Sequence, residues 1–79
     1  AEAEVIEAQV MSTSPIAGTL IGNIDFPEGV IVGGILKNGD MVKPSSQSKI
    51  EEGDIIALFA LSKDIPEVER LLQVTIDYF

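Results

Sequence analysis

The sequence predicts an α+β domain: a small antiparallel or mixed sheet of four to five strands, with two short helices. Three observations predict it. Residues 30–36 and 55–61 are apolar on both faces, as central strands are. Lys37-Asn38-Gly39-Asp40 carries the Asn-Gly pair of a two-residue hairpin. Two segments, one opening on Ser14-Pro15 and one on Asp64-Ile65-Pro66, have helix-start chemistry followed by short apolar stripes.

The elements follow in order. Residues 4–10 alternate, with Ile6, Ala8 and Val10 on one face and Glu7 and Gln9 on the other, as in a half-buried strand. Ser14 is a good N-cap and Pro15 suits the first helical position. Ile16, Leu20 and Ile21 then form a stripe, and Gly22-Asn23 a stop, so a helix of about two turns is expected. Asp25-Phe26-Pro27-Glu28-Gly29 reads as a turn into the first central strand. The Asn-Gly hairpin sets Lys37 opposite Asp40, Leu36 opposite Met41 and Ile35 opposite Val42. Pro44, lacking an amide hydrogen, ends the return strand.

A polar loop over 45–49 follows, and Ile50 is expected to plug back into the core. Glu51-Glu52-Gly53-Asp54 forms a tight turn in which Asp54 bonds the backbone. After the second central strand, Asp64 and Glu67 have capping-box spacing, and Val68, Leu71 and Leu72 give the helix a buried face. Residues 74–79 read as a final strand, a segment exchanged with a partner, or a disordered tail, and residues 1–3 as a linker.

Composition narrows the function. A chain of 79 residues is one small domain, and such domains are marginal alone. Without cysteine there is neither a disulfide nor a thiolate zinc site. Without histidine, the serines have no imidazole to activate them, and no nucleophile–base pair can be named, so an enzyme is not expected. A net charge of −8 disfavours nucleic acid and anionic lipid. No apolar run approaches the roughly 18 residues of a spanning helix, and no signal peptide is visible. The chain begins without an initiator methionine, which is expected of a piece of a larger protein.

Several clusters have both a functional and a structural reading. Gly33-Gly34 admits a close backbone or ligand, or a bulge, and the bulge is favoured. Glu51, Glu52 and Asp54, with Asp25 and Glu28, supply oxygen ligands, but their spacing matches no EF-hand loop, so a solvated turn is favoured. Lys43-Pro44-Ser45-Ser46 offers one cation and two hydroxyls to a phosphate, and an empty turn is favoured. No metal or cofactor is expected in this domain.

The order of these signals resembles the TrkA-C, or RCK-C, family, the small regulatory domain of potassium-uptake and potassium-channel regulators. Residues 10–20, with Ser14-Pro15-Ile16-Ala17-Gly18, resemble its first strand and Ser-x-hydrophobic-small-Gly segment. Residues 29–54 resemble its hairpin, Pro-Ser loop and Gly-Asp turn, and residues 65–74 its end. The resemblance implies a cytoplasmic, dimeric regulatory module. It would be attached to a nucleotide-binding Rossmann domain and work with a membrane potassium transporter subunit. NAD or ATP would belong to that other domain, since no Gly-x-Gly-x-x-Gly occurs here. Some relatives bind small ligands such as cyclic di-AMP between paired domains. The few cations here, Arg70 and Lys37, Lys43, Lys49 and Lys63, argue against a cyclic dinucleotide.

Apolar residues make up 46% of the chain, more than two short helices can cover. A homodimer is therefore expected, with Val30, Val32, Ile35, Lys43 and Pro44 as its contact residues. The alternatives are a purely structural dimerisation domain and a monomeric adaptor that binds peptides along a strand edge.

Overall fold

The computed structural model describes residues 2–73 and 75–78. Five strands, β1 (Ala3–Gln9), β2 (Val30–Lys37), β3 (Asp40–Val42), β4 (Ile55–Leu61) and β5 (Thr75–Tyr78), form one sheet with one helix, α1 (Ile65–Leu72). The sheet order is β3-β2-β4-β1-β5, and every neighbouring pair is antiparallel. β4, apolar on both sides, takes the centre.

One face of the sheet is covered. Ile6, Ala8 and Val10 from the first strand segment, Ile35 from β2, and Ile56, Leu58 and Ala60 from β4 point into one cluster. Ile65, Val68 and Leu72 of α1, with Ile16 and Ile50 from the loops, close over it. The stripe on α1 is what the spacing of Val68 and Leu72 predicts. Ile50 is fully buried, as expected of a plug. The hairpin has the expected register, Lys37 with Asp40, Leu36 with Met41 and Ile35 with Val42. Asn38 and Gly39 both take positive φ, 50° and 86°, which suits a type I′ turn.

Three expectations are corrected. No α-helix forms after Ser14: the segment is a run of turns followed by a 3-10 turn at Ile21–Asn23. Gly18 at φ 88° breaks the helical path, and the chain then runs beside residues 48–50. There, Ile50 N–H donates to the Thr19 carbonyl and Ile21 N–H to that of Ser48, at 2.8 Å each.

The capping box is also not made. Asp64 ends a 3-10 turn (Ser62–Asp64) that runs directly into α1, so it is helical (φ −95°, ψ −9°) and its side chain caps nothing. Glu67 instead pairs with Arg70, one turn along.

Residues 2 and 3 are not a linker. Ala3 opens β1 opposite Leu61, and the Glu2 carbonyl accepts from Ser62 N–H at 2.8 Å. At the other end, the final strand is the alternative seen for residues 75–78: β5 pairs with β1, and Val74 and Phe79, like Ala1, lie outside the described residues.

Candidate functional site: the open face of the sheet

Alternation sends every second residue of each strand away from the core. On that outer face Val5, Phe59 and Ile31 lie directly opposite one another across β1, β4 and β2. They are 38%, 51% and 66% exposed, so three large apolar side chains form one uncovered row. Met41 on β3, 68% exposed, extends the patch toward one margin. A contiguous apolar patch on a small acidic domain makes this face the candidate interaction surface.

The strand β2 changes step in this patch. Val32 pairs with Leu58 and Gly34 with Ala57, so Gly33 is one residue too many for the ladder. This is the favoured bulge. A methyl group at Gly33 would come within 2.7 Å of the Phe59 ring, and one at Gly34 within 2.7 Å of the Met41 sulfur. The Phe59 ring thus lies close over Gly33 and the Met41 thioether close over Gly34.

Of the residues expected at a dimer contact, the structure shows how much of each is exposed. Ile35 is 0% exposed and belongs to the core, so it has no surface to offer. Val30 and Val32 are half-buried and also pack on the core side. The open positions of β2 and β4 are Ile31 and Phe59, one step out of phase with the expected ones. Lys43 is exposed and Pro44 half-buried, both just beyond β3 at the margin.

The other candidate clusters are put to structural use. The Lys37 ammonium does not pair with Asp40. It reaches the turn before β4, donating to Asp54 Oδ2 at 2.5 Å and Glu51 Oε1 at 3.2 Å. The Asp54 carboxylate raises the Lys37 pKa above the ordinary lysine value through this hydrogen bond; burial works against it and Glu51 adds to it. Asp54 also accepts from Glu51 N–H at 2.9 Å, the backbone bond expected of it. Asp25 and Glu28 lie elsewhere, and among the described residues no three acidic side chains gather as metal ligands would. In the Pro-Ser loop, Ser45 N–H donates to Ser48 Oγ at 2.9 Å, and Gln47 N–H to Ser45 Oγ at 3.3 Å. Those hydroxyls stabilise the loop itself.

One residue has a role that the sequence does not reveal. Ser14, expected to start its own helix, donates from Oγ to the Leu72 carbonyl at 2.5 Å. It thus satisfies one of the free carbonyls at the end of α1, across 58 residues of sequence. No local signal marks such a long-range cap. Close by, a shallow cleft of about 270 Å³ is lined by Pro15, Ile16, Thr19, Asn23, Ile24, Asp25 and Leu71.

Comparisons with known proteins fit this architecture. The family model for the TrkA-C domain matches residues 5–73. The chain is similar to the Trk system potassium uptake protein TrkA of Azorhizobium caulinodans, with 37% identity over 96% of this chain and 17% of that protein. It is likewise similar to TrkA of Haemophilus influenzae, with 39% identity over 89% of this chain and 16% of that protein. The chain thus spans about a sixth of the length of these relatives. A solved structure described as "Structure of RCK domain with cda" has the same fold, with a TM-score of 0.75 and 17% identity, over 87% of this chain and 97% of that one. Matched over nearly its whole length, the chain belongs to the TrkA-C domain family.

Proposed function

We propose that this domain is a cytoplasmic regulatory module of a Trk-type potassium uptake system, and that it acts as a pair of identical copies joined through the open face of the sheet. Family membership supports the first part. The observation that carries the second is the uncovered row of Val5, Phe59 and Ile31, which a like surface would hide from water. No helix among the described residues is long and apolar enough to cross a membrane, so the module would act on a membrane transporter through the rest of its protein. A change in how paired domains are oriented would be passed on mechanically, and only a ligand or partner that prefers one arrangement could drive it.

A second reading adds ligand sensing between paired domains, and one observation favours it: the same fold occurs in an RCK domain described with cda. Against a phosphate-rich ligand stands the use already made of two cations, Lys37 on Asp54 and Glu51 and Arg70 on Glu67.

Light scattering of the chain at high micromolar concentration tests the pairing: a mass of two copies is expected, and a strict monomer overturns it. A thermal-shift series with nucleotides, cyclic dinucleotides and cations tests the sensing. A shift with one class supports it; no shift with any leaves the purely structural dimerisation domain as the better account.

A further inference from the structure

We infer that the cleft between α1 and the loop after Ser14 binds a small organic cation, an alkylammonium or alkylguanidinium whose charged head meets Asp25 and whose stem lies on Pro15, Ile24 and Leu71. Two walls of the cleft, Ile24 and Leu71, pack on the core cluster. The site therefore lies on the covered side of the sheet, away from Val5, Phe59 and Ile31, and would be independent of the pairing proposed above.

The polar groups of the cleft are acceptors. Thr19 Oγ1 uses its one hydrogen on the Ile16 carbonyl at 2.7 Å, so only its lone pairs are left for a ligand. The Asp25 carboxylate has acceptors alone, and among the described residues no lysine or arginine pairs with it. Asn23 completes the polar rim and is able to turn its amide oxygen the same way. Leu71 stands in the last turn of α1, where a helix carries partial negative charge. Among the described residues no lysine or arginine lines the cleft. A ligand that suits these groups donates hydrogen bonds and is positively charged.

The floor is apolar. Pro15 is exposed, and Ile24 and Leu71 are half-buried. Such a surface takes the hydrocarbon part of a molecule whose charged end stays near water. The volume of about 270 Å³ suits a short stem with a single charged head. It lies below the roughly 300–1,000 Å³ of sites for drug-sized ligands. A phosphate-bearing ligand fits neither the charge nor the size. A hard metal ion is no better served, because among the described residues no three acidic side chains gather.

N-butylguanidinium and its uncharged isostere N-butylurea test the site. Each is titrated into the isotope-labelled chain at low, matched ionic strength, and amide chemical shifts are followed. The cation should move Thr19, Ile24, Asp25 and Leu71 with a Kd of about 1–10 mM, as expected of so small a ligand. N-butylurea should bind about fivefold more weakly. Asp25→Asn should weaken the cation by about the same factor and leave the urea unchanged. Glu28→Gln removes an exposed carboxylate outside the cleft and should leave both unchanged.

Equal binding of cation and urea by the wild-type chain overturns the inference, whether or not any variant folds. Shifts spread over the acidic surface and indifferent to Asp25→Asn also overturn it, since they mark a counterion only. So does the absence of a saturable shift well above the millimolar range. Guanidinium chloride, the head without its stem, should bind at the same residues about tenfold more weakly. If it binds as well as the alkylated ion, the apolar floor plays no part and the inference falls.

Discussion

Leu58 and Phe59 are consecutive residues of β4, yet they experience different solvents. Leu58 is fully enclosed among Ile6, Ile35, Val68 and the rest of the core, whereas half of Phe59 faces water. The covered face is what folds the domain: a sheet, one helix and two loop plugs converge there. The open face leaves Val5, Phe59 and Ile31 uncovered, and in the pairing proposed above a second copy would cover them. Within one sheet, the side to which a side chain points thus separates the core from the candidate interaction surface.

The sharpest way to break that division is to truncate both residues. Leu58→Ala should cost about 2–5 kcal/mol in urea denaturation, from lost transfer energy and a residual cavity. Phe59→Ala in the dissociated chain should stay within about 0.5 kcal/mol, as surface changes do. Equal losses would show that the open face also holds the fold together.

A smaller effect tests how the covered side is closed. Ser14→Ala removes the hydroxyl that serves the Leu72 carbonyl and leaves that buried acceptor unpaired. A loss of about 1–3 kcal/mol is expected. Hydrogen exchange at the end of α1 should rise with it; unchanged protection there would show that the bond is idle.

Smaller still is the contribution of Lys37. Its pKa is raised in the folded state, so its stabilisation is complete below the unfolded value of about 10.4 and is lost as pH rises through the higher folded value. Melting temperature should therefore fall more steeply in alkali for the wild type than for Lys37→Met. Because the ammonium is partly solvated, the difference at neutral pH should be about 1 kcal/mol or less.

The smallest change is expected at Gly34→Ala, where the new methyl meets only the end of an exposed, flexible Met41 side chain. A shift under about 0.5 kcal/mol should appear, and a large one would mean that Met41 is fixed in place.

Where local chemistry decides, the sequence was a good guide. The alternation of Ile6, Ala8 and Val10, the Asn-Gly turn and its register, the Ile50 plug and the stripe on α1 all follow from the neighbours of each residue. The misreadings share a different cause. Ser14-Pro15 has the chemistry of a helix start, but Gly18 and pairing with residues 48–50 pull the chain away from the helix. Asp64 has the spacing of a cap, but the 3-10 turn before α1 removes the extended backbone that a cap needs. In β2, an apolar run with two glycines carries no sign of which side faces in, because that depends on the strand beside it. The open face was therefore legible as an excess of apolar residues, while which residues of β2 lie on it was not.

The surplus residue in β2 has a consequence for how such a module can vary. Removing Gly33 would leave Val32 with Leu58, Gly34 with Ala57 and Ile35 with Ile56, so every side chain would keep its side of the sheet. The deletion would alter curvature alone, since a bulge bends and twists the strand that contains it. A single-residue insertion or deletion at this point thus offers a route to flatten or deepen the outer surface, and so to change which shapes it fits, without re-sorting the interior.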